Sequence, residues 1–156
     1  MDETGPPTPR LAGVADARIL GELLHAFNTE FETSTPEVAI LADRLERYLP
    51  AGGLAALLIG QPASGFALVS FRPNVWYDAP IALLDELYVQ PDLRNRRLGT
   101  ALLDAVCALA TEHGAEVVEI NVDGDDVDAR RFYEARGFSN TEPGRTDQLL
   151  YYYREL

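Results

Sequence analysis

Apolar residues recur along this chain with two different periods, and the changes between them predict its elements. From Asp16 onward, Ile19, Leu20, Leu23, Leu24 and Phe27 fall three and four apart, which predicts a helix with Asp16 as its N-cap. The stretch NTEFETSTP (28–36) is a loop. Pro36 opens a second helix to about Leu49, with Val38, Leu41, Leu45 and Leu49 on one face, and PAGG breaks it. Three apolar runs of strand length follow: LAALLIG (54–60), FALVSFRP (66–73) and IALLDELYV (81–89). QPASG joins the first two as a hairpin turn, and NVWYDAP is a longer connection to the third. Helical spacing returns with Leu98, Ala101, Leu102, Ala105, Val106, Leu109 and Ala110, and Gly114 stops that helix. AEVVEINV (115–122) reads as a strand, ARRFYEAR (129–136) as a helix ended by Gly137, and QLLYYYREL (148–156) as a last strand. PRLAGVA (9–15) is a candidate first strand, and residues 1–9 read as a flexible leader.

The order is strand, two helices, three strands, helix, strand, helix, strand, without internal repeats. It predicts an α/β (α+β) fold in one domain, 10–156, with an antiparallel start and helical crossovers later. Alternation sends Asp85 and Glu86 to opposite faces of their strand, and divides Tyr151, Tyr152 and Tyr153 between core and surface.

Composition narrows the function classes. A formal net charge of −12 argues against general nucleic-acid binding, which needs a basic face. No apolar run is long enough to span a membrane, and the polar, Pro-rich N-terminus lacks signal-peptide character, so a cytoplasmic protein is expected. The one cysteine, Cys107, forms no internal disulfide and reads as a small buried hydrophobe, not a nucleophile. His25 and His113 lack ligand spacing and read as structural. DGDDVD (123–128) departs from the calcium-loop pattern at its fifth and sixth positions, so helix capping is the better account and no metal is expected. All 13 basic residues are arginine.

Against that acidic background, RNRRLGTALL (94–103) gathers three arginines directly before a helix. Positive charge at a helix N-terminus opposes the helix dipole, so it has little structural use there. Combined with unpaired N–H groups and a glycine, it suits a phosphate or pyrophosphate. The stretch has neither the lysine of a P-loop nor dinucleotide-fingerprint spacing. Arg96-Arg97-Leu98-Gly99-Thr100-Ala101 resembles the Arg/Gln-x-x-Gly-x-Gly/Ala signature of the GNAT superfamily of N-acetyltransferases. ELYVQPDLR before it resembles the strand and loop that lead to that signature. Ala129 to Phe138 resembles the family's Ala-x-x-Phe-Tyr-x-x-x-Gly-Phe helix.

The resemblance implies a mixed, centrally splayed sheet of six to seven strands flanked by about four helices. It implies acetyl-CoA as co-substrate, its pyrophosphate held by the loop from Arg94 and Asn95 through Arg96, Arg97, Leu98, Gly99 and Thr100. Asn95 and Arg97 stand where the family often has glycine. Leu87, Tyr88 and Val89 would pair with the pantetheine arm, and Asp126 stands where an asparagine often touches the cofactor. Tyr133 would protonate the leaving thiolate. The base is left open by the family: Glu86, working through water, is the first choice and Asp85 the second, while Asn121 cannot serve as one. Phe27, Asn28 and Phe31 are candidate acceptor contacts, weighed against plain packing.

The expected function is transfer of acetyl to a primary amine of a small, cationic acceptor, in a homodimer as the family resemblance implies. Other readings stay open on the sequence: an acyl-CoA-binding regulatory module, transfer to a protein or peptide amine, and, less well supported, an unrelated phosphate-binding protein.

Overall fold

Leu20 and Leu23 are buried on the inner face of α1 (Ala17–Glu30), and Leu45 on that of α2 (Val38–Tyr48), as the helical period predicts. The computed structural model describes residues 5–156. Residues 1–4 of the expected leader lie outside the described residues, and 5–9 carry no helix or strand. The predicted first strand shrinks to β1 (Arg10–Leu11), because a 3-10 turn begins at Val14. Asp16 occupies the N-cap position of α1 without capping it. Its carboxylate instead accepts from the Arg10 guanidinium at 2.7 and 2.9 Å and from the Gly13 N–H at 2.9 Å. Arg10, and then the Gly13 N–H, hold this carboxyl down at about 2.

Among the described residues, five strands form one sheet in the order β1-β2-β3-β4-β5, fewer than the six to seven expected. β2 (Leu54–Ile59), β3 (Gly65–Arg72) and β4 (Ile81–Val89) match the three apolar runs, and each step from β1 to β4 pairs antiparallel. Between β2 and β3, Gly60 has φ +96, and an added Cβ would lie 2.5 Å from Ser64 Oγ and 2.9 Å from the Pro62 carbonyl. Only glycine fits that turn. α3 (Leu98–Glu112) carries the chain back to β5 (Val118–Ile120). There the Ala82 N–H donates to the Val117 carbonyl at 3.1 Å, so the start of β5 lies beside the start of β4. β5 is shorter than the expected 115–122, because the Ala115 N–H bonds back to the Ala110 carbonyl and winds off the end of α3.

One face of the sheet carries α1 and α2. Leu20, Leu23 and Leu45 meet Leu58, Phe66 and Tyr88 there, with Leu68 packed against them. On the other face Phe71 stacks on His113 at the end of α3, 4.2 Å between rings. Leu102, Leu103 and Val106 of α3 are fully buried. Cys107 corrects the expectation: it lies on the outward side of α3 and is exposed. Desolvation and the charge of Asp104 push its thiol up, which leaves it a poor nucleophile.

The chain divides into two compact units, Met1–Glu119 and Ile120–Leu156. The second contains α4 (Val127–Glu134), which begins two residues earlier than expected because Asp126 caps it, Oδ1 accepting from the Ala129 N–H at 3.0 Å. The predicted last strand is absent. Beyond an isolated bridge between Thr141 and Gln148, residues 149–156 carry no strand. Alternation buries a side chain only where a covered sheet face exists. Tyr151, Tyr152 and Tyr153 accordingly are all exposed, not divided between core and surface.

Candidate active site

The register of β3 and β4 breaks at one point. Leu68 pairs with Glu86 and Val69 with Leu84, leaving Asp85 as an extra residue, a β-bulge. The insertion turns the strand over. Before it, Ala82 and Leu84 sit opposite Phe71 and Val69, on the α3 face. After it, Glu86 and Tyr88 sit opposite Leu68 and Phe66, on the α1 and α2 face. Asp85, next to Leu84, alternates onto that same α1 and α2 face, where the Ser70 hydroxyl donates to its carboxylate. The two carboxylates expected on opposite faces therefore share one. Burial, and then the charge of Asp85, push the half-buried Glu86 carboxyl up. A carboxylate with a raised pKa in a partly desolvated position has the character of a general base.

The same register directs the backbone of β4. The Gln90 N–H donates to the Ser64 carbonyl at 2.9 Å, so the 64/90, 66/88 and 68/86 pairs are the hydrogen-bonded ones. The backbone groups of Tyr88 are thus spent on β3. Those of Leu87 and Val89 point to the opposite edge. Tyr88 is itself a core residue, its ring 5.1 Å from Phe27 and 6.1 Å from Phe66.

Beyond Val89 the chain makes a 3-10 turn at Pro91–Leu93 and then the arginine loop. Asn95 and Arg97 have φ +61 and +64, the left-handed conformation glycine adopts most easily. The two non-glycine residues at these positions keep that backbone shape at a cost in strain. Left-handed Arg97 directly before the right-handed first residue of α3, Leu98, is the backbone pairing that forms an anion nest. Arg97 is also the N-cap of α3 and offers no side-chain cap. Leu98 has a buried side chain, so its contribution to the loop is its backbone. Gly99 and Thr100 complete the first turn of α3. Among the described residues, Arg96 and Arg97 form no ion pair, although the chain has 25 carboxylates. Arg96 and Leu98 border an open cleft of about 550 Å³, with Gly60, Pro62, Ser64 and Gln90 among its other walls.

Arg94 behaves differently from its neighbours. Its Nε donates to the Val89 carbonyl at 2.9 Å, and Nη2 meets Glu30 at 2.8 Å. Its guanidinium lies over the Tyr88 ring at 5.7 Å. Burial and Glu30 raise the Tyr88 phenol. This cluster ties the last residue of α1 to the end of β4. The sequence reading missed Glu30 and Ser70, since neither stands in a motif. Asn28 holds the α1–α2 connection, its Nδ2 donating to the Ser34 carbonyl at 3.3 Å. Phe27 packs in the core cluster, while Phe31 is exposed.

In the second unit, Tyr133 sits at the end of α4. The Phe138 N–H bonds to the Tyr133 carbonyl at 3.1 Å, the Gly137 N–H to that of Glu134 at 3.2 Å, and Gly137 has φ +89. This is a Schellman motif. The Phe138 ring completes it, edge-on to Tyr133 at 5.6 Å. Phe-Tyr-x-x-x-Gly-Phe is therefore a helix terminator that fixes the tyrosine backbone. No group of three or more His, Cys, Asp or Glu is gathered for a metal ion among the described residues. Nor is any described helix long and apolar enough to cross a membrane.

The profile of the acetyltransferase (GNAT) family matches residues 18–138. The chain belongs to this family. It is 31% identical over 148 residues to a mycothiol acetyltransferase of Sanguibacter keddieii, covering 88% of this chain and 47% of that protein. The chain spans about half, or less, of the length of the curated relatives it matches. Its structure superposes on that of a proposed acetyltransferase of Arthrobacter sp. FB24 with TM-score 0.93 and 54% identity over all of both chains. The aminoglycoside N-acetyltransferase AAC(6')-Iy, solved in complex with CoA, shares the fold at TM-score 0.78 and 21% identity, over 99% of this chain and 98% of that one.

Proposed function

We propose that this chain is an acetyl-CoA-dependent N-acetyltransferase that passes acetyl directly to a primary amine of a small, cationic acceptor. The observation that carries the reading is the 94–100 loop, with two left-handed residues, an N-terminus of α3 without a side-chain cap, and Arg96 and Arg97 outside any ion pair among the described residues. Such a loop suits a pyrophosphate, and membership of the family names the compound that brings it. Leu87 and Val89 direct backbone groups to the edge of β4 away from β3, as pairing with a peptide-like pantetheine arm requires. The Val89 N–H polarises the thioester carbonyl, while Arg94 occupies the Val89 carbonyl and holds the adjoining peptide in place.

In the transfer step the neutral amine attacks the thioester carbon, a C–N bond forms and the C–S bond breaks. Glu86, directly or through a water, accepts the amine proton, a role supported by its raised pKa. Tyr133 protonates the departing thiolate, a role supported by the family motif and the Schellman turn that fixes it. Asp126 contributes as the cap of α4, with a contact to the cofactor proposed besides. The acidic balance of the chain and the paired carboxylates at the bulge favour a cationic acceptor. A relative that is a mycothiol acetyltransferase supports a small molecule over a protein. The reading includes cytoplasmic location and a homodimer, the latter tested by sedimentation.

Calorimetry with acetyl-CoA, and with ATP as control, is the decisive experiment. The wild type is expected to bind acetyl-CoA and not ATP, and Arg96→Ala with Gly99→Glu to bind neither. Equal binding of ATP, or none of either compound, would leave only an anion-binding loop. Thiol release with a panel of amines then tests transfer, and activity retained by Tyr133→Phe would remove that residue from the mechanism.

A further inference from the structure

We propose that Ser70 is a positioning residue for the base, holding Asp85 beside Glu86 through the β-bulge. The inference rests on the reading of Glu86 as the base. The bulge supplies the geometry: Asp85 has no register partner on β3, so the β3–β4 ladder does not fix it. The Ser70 hydroxyl does, donating to Asp85 Oδ2 from the adjacent strand. Ser70 and Leu68 are two residues apart on β3 and share a face, and Leu68 is the register partner of Glu86. One bond therefore holds the Asp85 carboxylate over the same patch of sheet that carries Glu86.

The charged surroundings of Glu86 are few. The faces of α1 and α2 that cover this side of the sheet supply Leu20, Leu23, Leu24, Phe27 and Leu45. Of the titratable residues of those helices, Arg18 pairs with Glu22, Asp43 with Arg47 and Glu30 with Arg94, His25 meets the Thr29 hydroxyl on its own helix, and Arg44 and Glu46 are exposed. On β3, Arg72 pairs with Glu119. Among the described residues, Asp85 is the charged group that acts on Glu86, and it acts in the same direction as burial. A fixed Asp85 keeps Glu86 proton-affine, as a base working near neutral pH must be. Asp85 is exposed, so once freed its carboxylate would swing away from Glu86 and the intervening solvent would screen its charge.

The test reads Glu86 directly and needs no acceptor. The side-chain carboxyl of Glu86 is followed by carbon NMR titration in protein labelled at glutamate, with Glu86→Gln identifying the resonance. Asp85→Asn is expected to move its midpoint down by about half a pH unit or more. Ser70→Ala should move it in the same direction, and Ser70→Thr, which keeps the hydroxyl, should restore it. A midpoint unmoved by Ser70→Ala while Asp85→Asn shifts it would overturn the role of Ser70. A midpoint moved by neither would overturn the coupling itself. The pH profile of kcat/KM, with spermidine as the probe amine, separates the underlying reading: full activity in Glu86→Gln would remove Glu86 as base and leave the titration result standing.

Discussion

Glu86 carries two opposed demands. Burial and Asp85 raise its pKa, so the folded protein binds its proton more tightly than the unfolded chain does. Stability from that preference is complete below the ordinary glutamate value of 4.5 and is lost as pH rises through the raised folded value. At neutral pH the ionised side chain therefore costs stability, and the Glu86→Gln protein should melt higher than the wild type at pH 7. The advantage should shrink toward pH 4, where both carry a neutral side chain. The same substitution should lower kcat/KM by roughly 10²–10⁴-fold, the usual contribution of a positioned base. Paired thermal melts at pH 4 and pH 7, with the kinetics, check both halves. A variant that is less stable at pH 7 would mean that Glu86 makes a favourable contact when ionised. Two substituted residues of the loop raise a related conflict. Arg97 holds φ +64 without being glycine, and Arg97→Gly should relieve strain worth about 1 kcal/mol while removing a charge from the anion site. Its melting temperature should hold or rise as acetyl-CoA affinity falls several-fold, and calorimetry on the same samples would reveal either half failing.

Among the elements, the end of α4 is the one whose sequence states its own geometry. Gly137 at φ +89 lets the Phe138 N–H reach back to Tyr133, so Gly137→Ala should cost about 1 kcal/mol and lower the melting temperature by a few degrees. An unchanged melt would mean that this unit does not share in the cooperative transition. The helices and the three central strands were legible because their apolar periods extend over many residues, and local noise averages out. Leu20, Leu23 and Leu45 are buried where the period put them. Features that depend on a partner strand were not legible. The bulge at Asp85 is a property of the pairing with β3, so alternation along IALLDELYV alone sent Asp85 and Glu86 to opposite faces. The tyrosines of QLLYYYREL have strand-forming side chains but no ladder beyond Gln148, and propensity without a partner makes no strand. Cys107 was misplaced by the breadth of the apolar stripe on α3, whose buried line runs through Leu103 and Val106. The loop motif was read correctly as a helix start, yet the separate part of Arg94, bonded to Val89 and Glu30, rests on a residue 64 positions away.

For the molecule as a whole, the proposed function would have the net charge of −12 act on two substrates of opposite sign. An acidic body attracts a cationic amine at long range and repels the polyanionic acetyl-CoA, and the arginine loop offsets that repulsion locally. Screening separates the contributions, because the Debye length falls from about 10 Å at 0.1 M salt to about 3 Å at 1 M. The KM for a polyamine acceptor should therefore rise several-fold between about 0.05 and 0.5 M salt. The KM for acetyl-CoA should move less, since weaker loop contacts and weaker overall repulsion pull in opposite directions. An uncharged amine analogue should show little dependence, which controls for effects of salt on the fold. Initial rates across that series, with each substrate varied in turn, check the expectation. A polyamine KM that does not respond to salt would assign the acidic surface to solubility, and the acceptor would then have to be sought among neutral amines.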